Sequence, residues 1–145
     1  MQRDLNNHAE LEALLRHFYR LVLADSIIGY LFVDVAKIDL DAHLPKVVDF
    51  WHDLLFATKQ YDGGIFAAHL GVHKQVPLKP GHFTRWLYLL ERSIKECELE
   101  GPKTQQMLTL AHRISKSMSA ALSEQRRDQL VLSLNELALE SKSSQ

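Results

Sequence analysis

Eight histidines in 145 residues is a high count, and the one with the most chemical scope is His69. It stands in a short apolar stretch with Ile65, Phe66 and Val72 around it. A neutral imidazole in such surroundings can donate one ring lone pair to a metal, haem iron included. Its second nitrogen then needs an acceptor that fixes the ring. A core histidine with both nitrogens hydrogen-bonded is the commoner outcome, and periodicity alone favours it. His69 and His73 are four positions apart and can share a helix face. A zinc site there is weakly supported: no glutamate follows the first histidine and no third ligand is evident.

Tyr19 and Trp86 pose a similar choice. Tyr19 follows Phe18 on a wide apolar face, and a buried phenol needs a partner for its hydroxyl. It either ends at the core edge with its oxygen in water or points into a cavity. Tryptophans at helical spacing are usually core, and Trp51 reads that way. Trp86 brings an indole N–H that needs an acceptor if buried, and bound oxygen could be that acceptor. His43 lies four residues before Val47, in register with an apolar face, but Pro45 between them leaves two geometries open. The ring either faces a ligand site or reaches solvent at the helix start. His82 reads as an exposed first-turn residue, and His8, His17, His52 and His112 as surface. Arg85 and Lys46 can pair with carboxylates, those of a cofactor included, although a solvated charge is commoner.

The elements that must position these groups read as helices. Leu11, Leu14, Leu15, Phe18 and Val22 recur at helical spacing and mark a helix over 9–24. The segment 25–32, with Gly29, reads as a turn and a short helical piece ending on an inward Phe32. Asp39 and Asp41 are candidate caps for a helix whose apolar face is Val47, Phe50, Trp51, Leu54 and Leu55. Pro45 must then lie in its first turn or bend it. Tyr61-Asp62-Gly63-Gly64 breaks the chain before a short helix over 65–72, and 75–81, with two prolines, reads as a loop. Phe83, Trp86, Leu87, Leu90 and Ile94 mark the next helix. Gly101-Pro102 separates it from a last core helix through Met107, Leu110, Ala111, Ile114, Met118 and Leu122. Alternating strand patterns are missing, so the class is all-α. The main domain is expected over 1–125, with an accessory helix and a frayed serine-rich end over 126–145.

A composition of 46% hydrophobic and 24% charged residues suits one globular core. The formal net charge of −1 offers no basic surplus for nucleic acid. The single cysteine, Cys97, excludes an intrachain disulfide framework. The first ten residues do not resemble a secretory signal, and no apolar run is long enough for a bilayer. The expectation is a cytoplasmic protein with neither nucleic-acid nor membrane partner.

Several of these pieces, in this order, resemble the truncated globins, and most closely the third of their groups. They are His17-Phe18-Tyr19; Phe32; His43-Leu44-Pro45-Lys46; Asp49-Phe50-Trp51; Tyr61-Asp62-Gly63 before Ala67-Ala68-His69; Val76-Pro77-Leu78; and His82-Phe83-Thr84-Arg85-Trp86-Leu87. The resemblance covers about residues 11–122. It implies a two-over-two helical sandwich around haem b (iron protoporphyrin IX), held non-covalently because no C-x-x-C-H attachment is present. His69 matches the proximal ligand. Tyr19, Trp86 and His43 match polar distal positions, and Val47 an apolar one. Phe32 matches the phenylalanine that packs on the haem face, and Phe50, Trp51, Phe83 and Arg85 are expected to contact the cofactor. Leu90 departs from the pattern, standing where an aromatic is common. The implied function is tight binding of oxygen or another diatomic ligand, with an unidentified reductase as partner and peroxidase-like or nitric-oxide-consuming chemistry as an enzymatic form. The alternative from another class is a cofactor-free helical interaction module, which predicts apolar faces closed on one another and no space beside His69. A histidine metal-dependent hydrolase ranks last, because carboxylates at matching spacing are lacking.

Overall fold

The computed structural model describes residues 3–124. The expected helix over 126–145 lies outside the described residues.

Helix α1 (His8–Ala24) starts where the Asn7 side chain accepts from the Glu10 amide at 2.9 Å. Its apolar stripe, Leu11, Leu14, Leu15, Phe18 and Val22, is wholly buried. Asp25 ends the helix and takes the amides of Ile27 (3.1 Å) and Ile28 (3.0 Å). The chain then forms a π-helical turn, Leu31–Val35, so the helical piece expected to stop at Phe32 runs three residues further.

Helix α2 (Leu40–Phe56) is capped by Asp39, which accepts from the Asp41 amide. Pro45 is its sixth residue, beyond the first turn. Proline has no N–H, so the Asp41 carbonyl loses its helical partner there. Helix α3 (Ile65–Gln75) follows Gly64, whose φ of 103° is one that residues with a Cβ rarely adopt. Helix α4 (Pro80–Glu96) begins inside the stretch expected to be loop. Pro80 stands at the first helical position, where its fixed φ suits the helix and its missing N–H costs nothing.

Helix α5 (Pro102–Glu124) opens in the same way. Its first amides are taken from a distance: the Asp4 carboxylate accepts from the amides of Lys103 (2.9 Å) and Thr104 (2.7 Å) and from the Thr104 hydroxyl. Gly101 is required at this junction, because a Cβ there would lie 2.6 Å from the Asp4 carboxyl. Lys103 also donates to the Leu55 carbonyl in the last turn of α2, a favourable place for a cation.

Helix α1 packs on α2 and α4, and α5 packs on α4 and α2. The pair α1/α2 therefore lies over the pair α4/α5 as a two-over-two sandwich. Leu55, Leu90 and Met107, all fully buried, belong to the core between the layers. Helix α3 stands apart, touching only α5 and the π-turn among the described elements.

Candidate functional site

The space between α3 and the α1/α2/α4 wall is a cavity. Alpha-3 contributes Ile65, Ala68, His69 and Val72 to its lining, yet packs against none of α1, α2 and α4. His69 therefore faces those helices across open space. About 190 Å³ is accessible to water-molecule centres, more than ten times the ~10–15 Å³ that holds one water. The walls are aromatic and aliphatic: Phe32 from the π-turn, Val47, Phe50 and Trp51 from α2, Phe83 and Trp86 from α4.

The His69 Nδ1 lies 2.9 Å from the Ile65 carbonyl one turn back on its own helix. A carbonyl only accepts, so Nδ1 carries the proton. Burial pushes the His69 pKa below its ordinary value, although the Ile65 bond works against that shift. The ring is thus neutral, and Nε2 keeps its lone pair with no protein partner among the described residues.

Across the cavity, Tyr19 is buried and its hydroxyl lies 3.0 Å from Nε2 of His43. Burial raises the Tyr19 pKa, which keeps the phenol protonated. It lowers that of His43, helped by the nearby Lys46 ammonium. The open question about His43 is answered by position: it lines the cavity and pairs with Tyr19. The Tyr19 ring is edge-on to Phe32 at 6.2 Å. Trp86 is held edge-on to Phe18 at 5.7 Å, and its indole N–H has no partner among the described residues.

Two unpartnered polar groups of opposite character, an imidazole lone pair and an indole N–H, thus share an apolar cavity. Among solved structures, this architecture is similar to that of group III truncated hemoglobin from Campylobacter jejuni. The TM-score is 0.72 and the identity 24%, over 84% of this chain and 95% of that one. The fold is that of a truncated globin. No family model matches the chain, and no curated protein matches its sequence.

Within this globin fold, nine of the ten residues singled out from the sequence line one cavity: His69, Tyr19, His43, Val47 and Trp86, with Phe32, Phe50, Trp51 and Phe83. Arg85 does not line it. Its guanidinium is bound to Asp25, with Nη2 at 2.6 Å from Oδ1, and lies 4.8 Å over the Tyr88 ring. A buried carboxylate next to a flexible cation outcompetes a more distant site, and the pairing holds the Asp25 pKa low.

His82 was expected at an exposed position but lines the cavity, half-buried. Its Nδ1 accepts from the Lys79 amide at 3.0 Å. The signal was present in the spacing, since His82 precedes Trp86 by one helical turn. His73 is occupied elsewhere: its Nδ1 accepts from the Leu78 amide at 2.9 Å, so it does not join His69 at a shared metal.

Proposed function

We propose that this chain is a haem protein, binding oxygen or another diatomic ligand at ferrous iron held by His69. One observation carries the reading: a neutral imidazole presents a free lone pair to a large apolar cavity. Among the described residues, no three His, Cys, Asp or Glu side chains converge. A metal at His69 would therefore need ligands that the described residues do not supply, and a porphyrin would bring its own nitrogen donors. The apolar walls fit a macrocycle, and burial at ~25 cal/mol per Å² accounts for much of its retention. Absence of a C-x-x-C-H attachment favours non-covalent haem b.

Phe32, Phe50, Trp51 and Phe83 would pack on the macrocycle, with Val47 closing the far wall. His69 would hold the iron, and the Ile65 carbonyl would fix its ring and raise its basicity. When bound, haem would supply the site at which a gas gains partial negative charge. Trp86 and Tyr19 would be the donors to that charge, each hydrogen bond contributing ~1.5–3 kcal/mol in a water-poor cavity. Tyr19 has a single proton to give. It is free to donate into the cavity only when His43 is the donor in the Tyr19–His43 bond. Strong retention suits slow release rather than bulk delivery. The same donors can polarise a peroxide bond, so peroxidase-like or nitric-oxide-consuming turnover, served by a reductase, is part of the proposal. No described helix is long and apolar enough to cross a membrane, and we place the protein in the cytoplasm.

The alternative of a cofactor-free interaction module predicts apolar faces that close on one another, and the open space beside His69 argues against it.

The test is reconstitution with haem. The expected product is red, with a stable ferrous oxygen spectrum. His69→Ala should lose axial ligation and regain it with added imidazole. A protein that stays colourless with excess haem would remove the reading.

A further inference from the structure

Helix α3 carries His69 but is held by less burial than its neighbours: Ile65, Leu70 and Val72 pack on the core only half-buried. None of its residues with a described side chain is fully buried, and Gly64 at its N-cap has no side chain to meet the first amides. The amide of Ile65, the first helical residue, belongs to the donors a helix start leaves unpaired. Here it donates to the phenol oxygen of Tyr61 at 2.9 Å. The carbonyl of the same residue receives Nδ1–H of His69 at 2.9 Å. One residue thus joins the tie at the helix start to the ring that matters.

Tyr61 is itself anchored. The Asp53 carboxylate on α2 accepts from the amides of Tyr61 (2.8 Å) and Gln60 (2.9 Å) and from the Thr58 hydroxyl (2.5 Å). Thr58, having given its proton to Asp53, receives Nδ1–H of His52 at 2.8 Å. The Tyr61 ring stands edge-on to Phe50, 5.2 Å between centroids, so the ring packs while the hydroxyl caps. Hydrogen bonds, joined through the covalent frames of Tyr61 and Ile65, therefore link α2 by way of this loop to the imidazole.

We propose that Tyr61, anchored by Asp53, is a positioning residue for His69: by holding Ile65 it fixes the start of α3 and the rotation of the imidazole. The consequence at iron rests on the haem reading; the tie itself does not. Tyr61→Phe keeps the ring and removes only the capping oxygen. Loss of a cap amounts to ~1 kcal/mol, or about fivefold in a local equilibrium.

The first readouts use the full chain without haem, at fixed neutral pH. In Tyr61→Phe, amide hydrogen exchange in α3 should rise about fivefold while α1 and α5 stay unchanged. Nitrogen-15 NMR should show the Nδ1–H tautomer of His69 losing population to Nε2–H. Asp53→Asn, which leaves the Tyr61 hydroxyl in place but loosens its loop, should move both readouts the same way and less. Tyr88→Phe, an exposed tyrosine on α4, is the control and should move neither. With haem bound, the ferrous iron–imidazole Raman band should broaden or shift in Tyr61→Phe. If the haem-free readouts move but no haem is taken up, the proposed function falls and the positioning role stands. If haem binds through His69 and neither the exchange, the tautomer nor the band changes in Tyr61→Phe, the positioning role is overturned.

Discussion

The four-helix frame and the helix that carries His69 are built by different means. In the frame, α1, α2, α4 and α5 bury whole apolar stripes against one another, and Leu11, Leu55, Leu90 and Met107 reach zero exposure. In α3 no described side chain is fully buried, and among the described elements it contacts only α5 and the π-turn. Ile65, Leu70 and Val72 pack on the core only half-buried, and polar ties add to them: Tyr61 at the helix start, and His73 near its end, whose Nδ1 takes the Leu78 amide. Non-directional burial supplies stability in the frame. Directional hydrogen bonds supply orientation at the site, and leave open a space that a fully packed helix would fill. Stability and the orientation of His69 can therefore be perturbed separately.

The largest effect that tests this division is in the frame. Leu90→Ala removes a fully buried side chain from α4 and should destabilise the haem-free protein by about 2–5 kcal/mol. Val72→Ala, on the cavity face of α3, only enlarges space that already exists and should cost less than about 1 kcal/mol. Denaturant unfolding of both variants checks the contrast. Equal losses would mean that α3 belongs to the same cooperative core.

The frame was also the part most legible in the sequence. Leu11 to Val22 and Met107 to Leu122 repeat at helical spacing because each stripe faces a packed neighbour, and burial writes that period directly. The start of α4 was missed because Pro80 and Gly81 read as loop composition, whereas proline is tolerated at a first helical position. At the site, the apolar and aromatic lining could be found because it lies on those same stripes. Arg85 could not be placed, because its competitor Asp25 is 60 positions away and long-range pairing leaves no periodic trace. Tyr61 and Asp53 escaped for a different reason: their partners are only four and eight positions away, but they are backbone amides reached through a loop, whose path leaves no residue pattern.

The next largest effect probes the cavity's donors. If the N–H of Trp86 stabilises bound oxygen, Trp86→Phe should speed oxygen release roughly tenfold to a hundredfold, from ~1.5–3 kcal/mol per bond to a charged acceptor. Unfolding of the haem-free protein should change much less than in Leu90→Ala, since Trp86 is only half-buried. An unchanged release rate in Trp86→Phe and in the Tyr19→Phe/Trp86→Phe double variant would remove both donors from the reading. A smaller effect is expected at the end of α3. His73→Ala frees the Leu78 amide and should cost ~1 kcal/mol, seen as faster exchange of that amide with exchange in α1 unchanged.

The smallest effect is a difference in where acid acts on the two regions. His43 and His69 both have pKa values lowered chiefly by burial. Their unfolded counterparts, near 6.5, take up protons that the folded rings refuse. Stability from these two is therefore present above pH ~6.5 and drains away as the pH falls through their folded values. Asp25, lowered by its bond to Arg85, acts later, because its contribution persists until the pH drops below the ordinary carboxylate range near 4. The denaturation midpoint of the haem-free protein should fall in two stages. His43→Gln should shrink the first stage and leave the second, while Asp25→Asn should do the reverse. The two carry different stages because a neutral imidazole is kept dry by an apolar cavity, whereas the carboxylate is kept charged by a guanidinium outside it. A single acid transition, equally altered by both variants, would show that site and frame unfold as one unit.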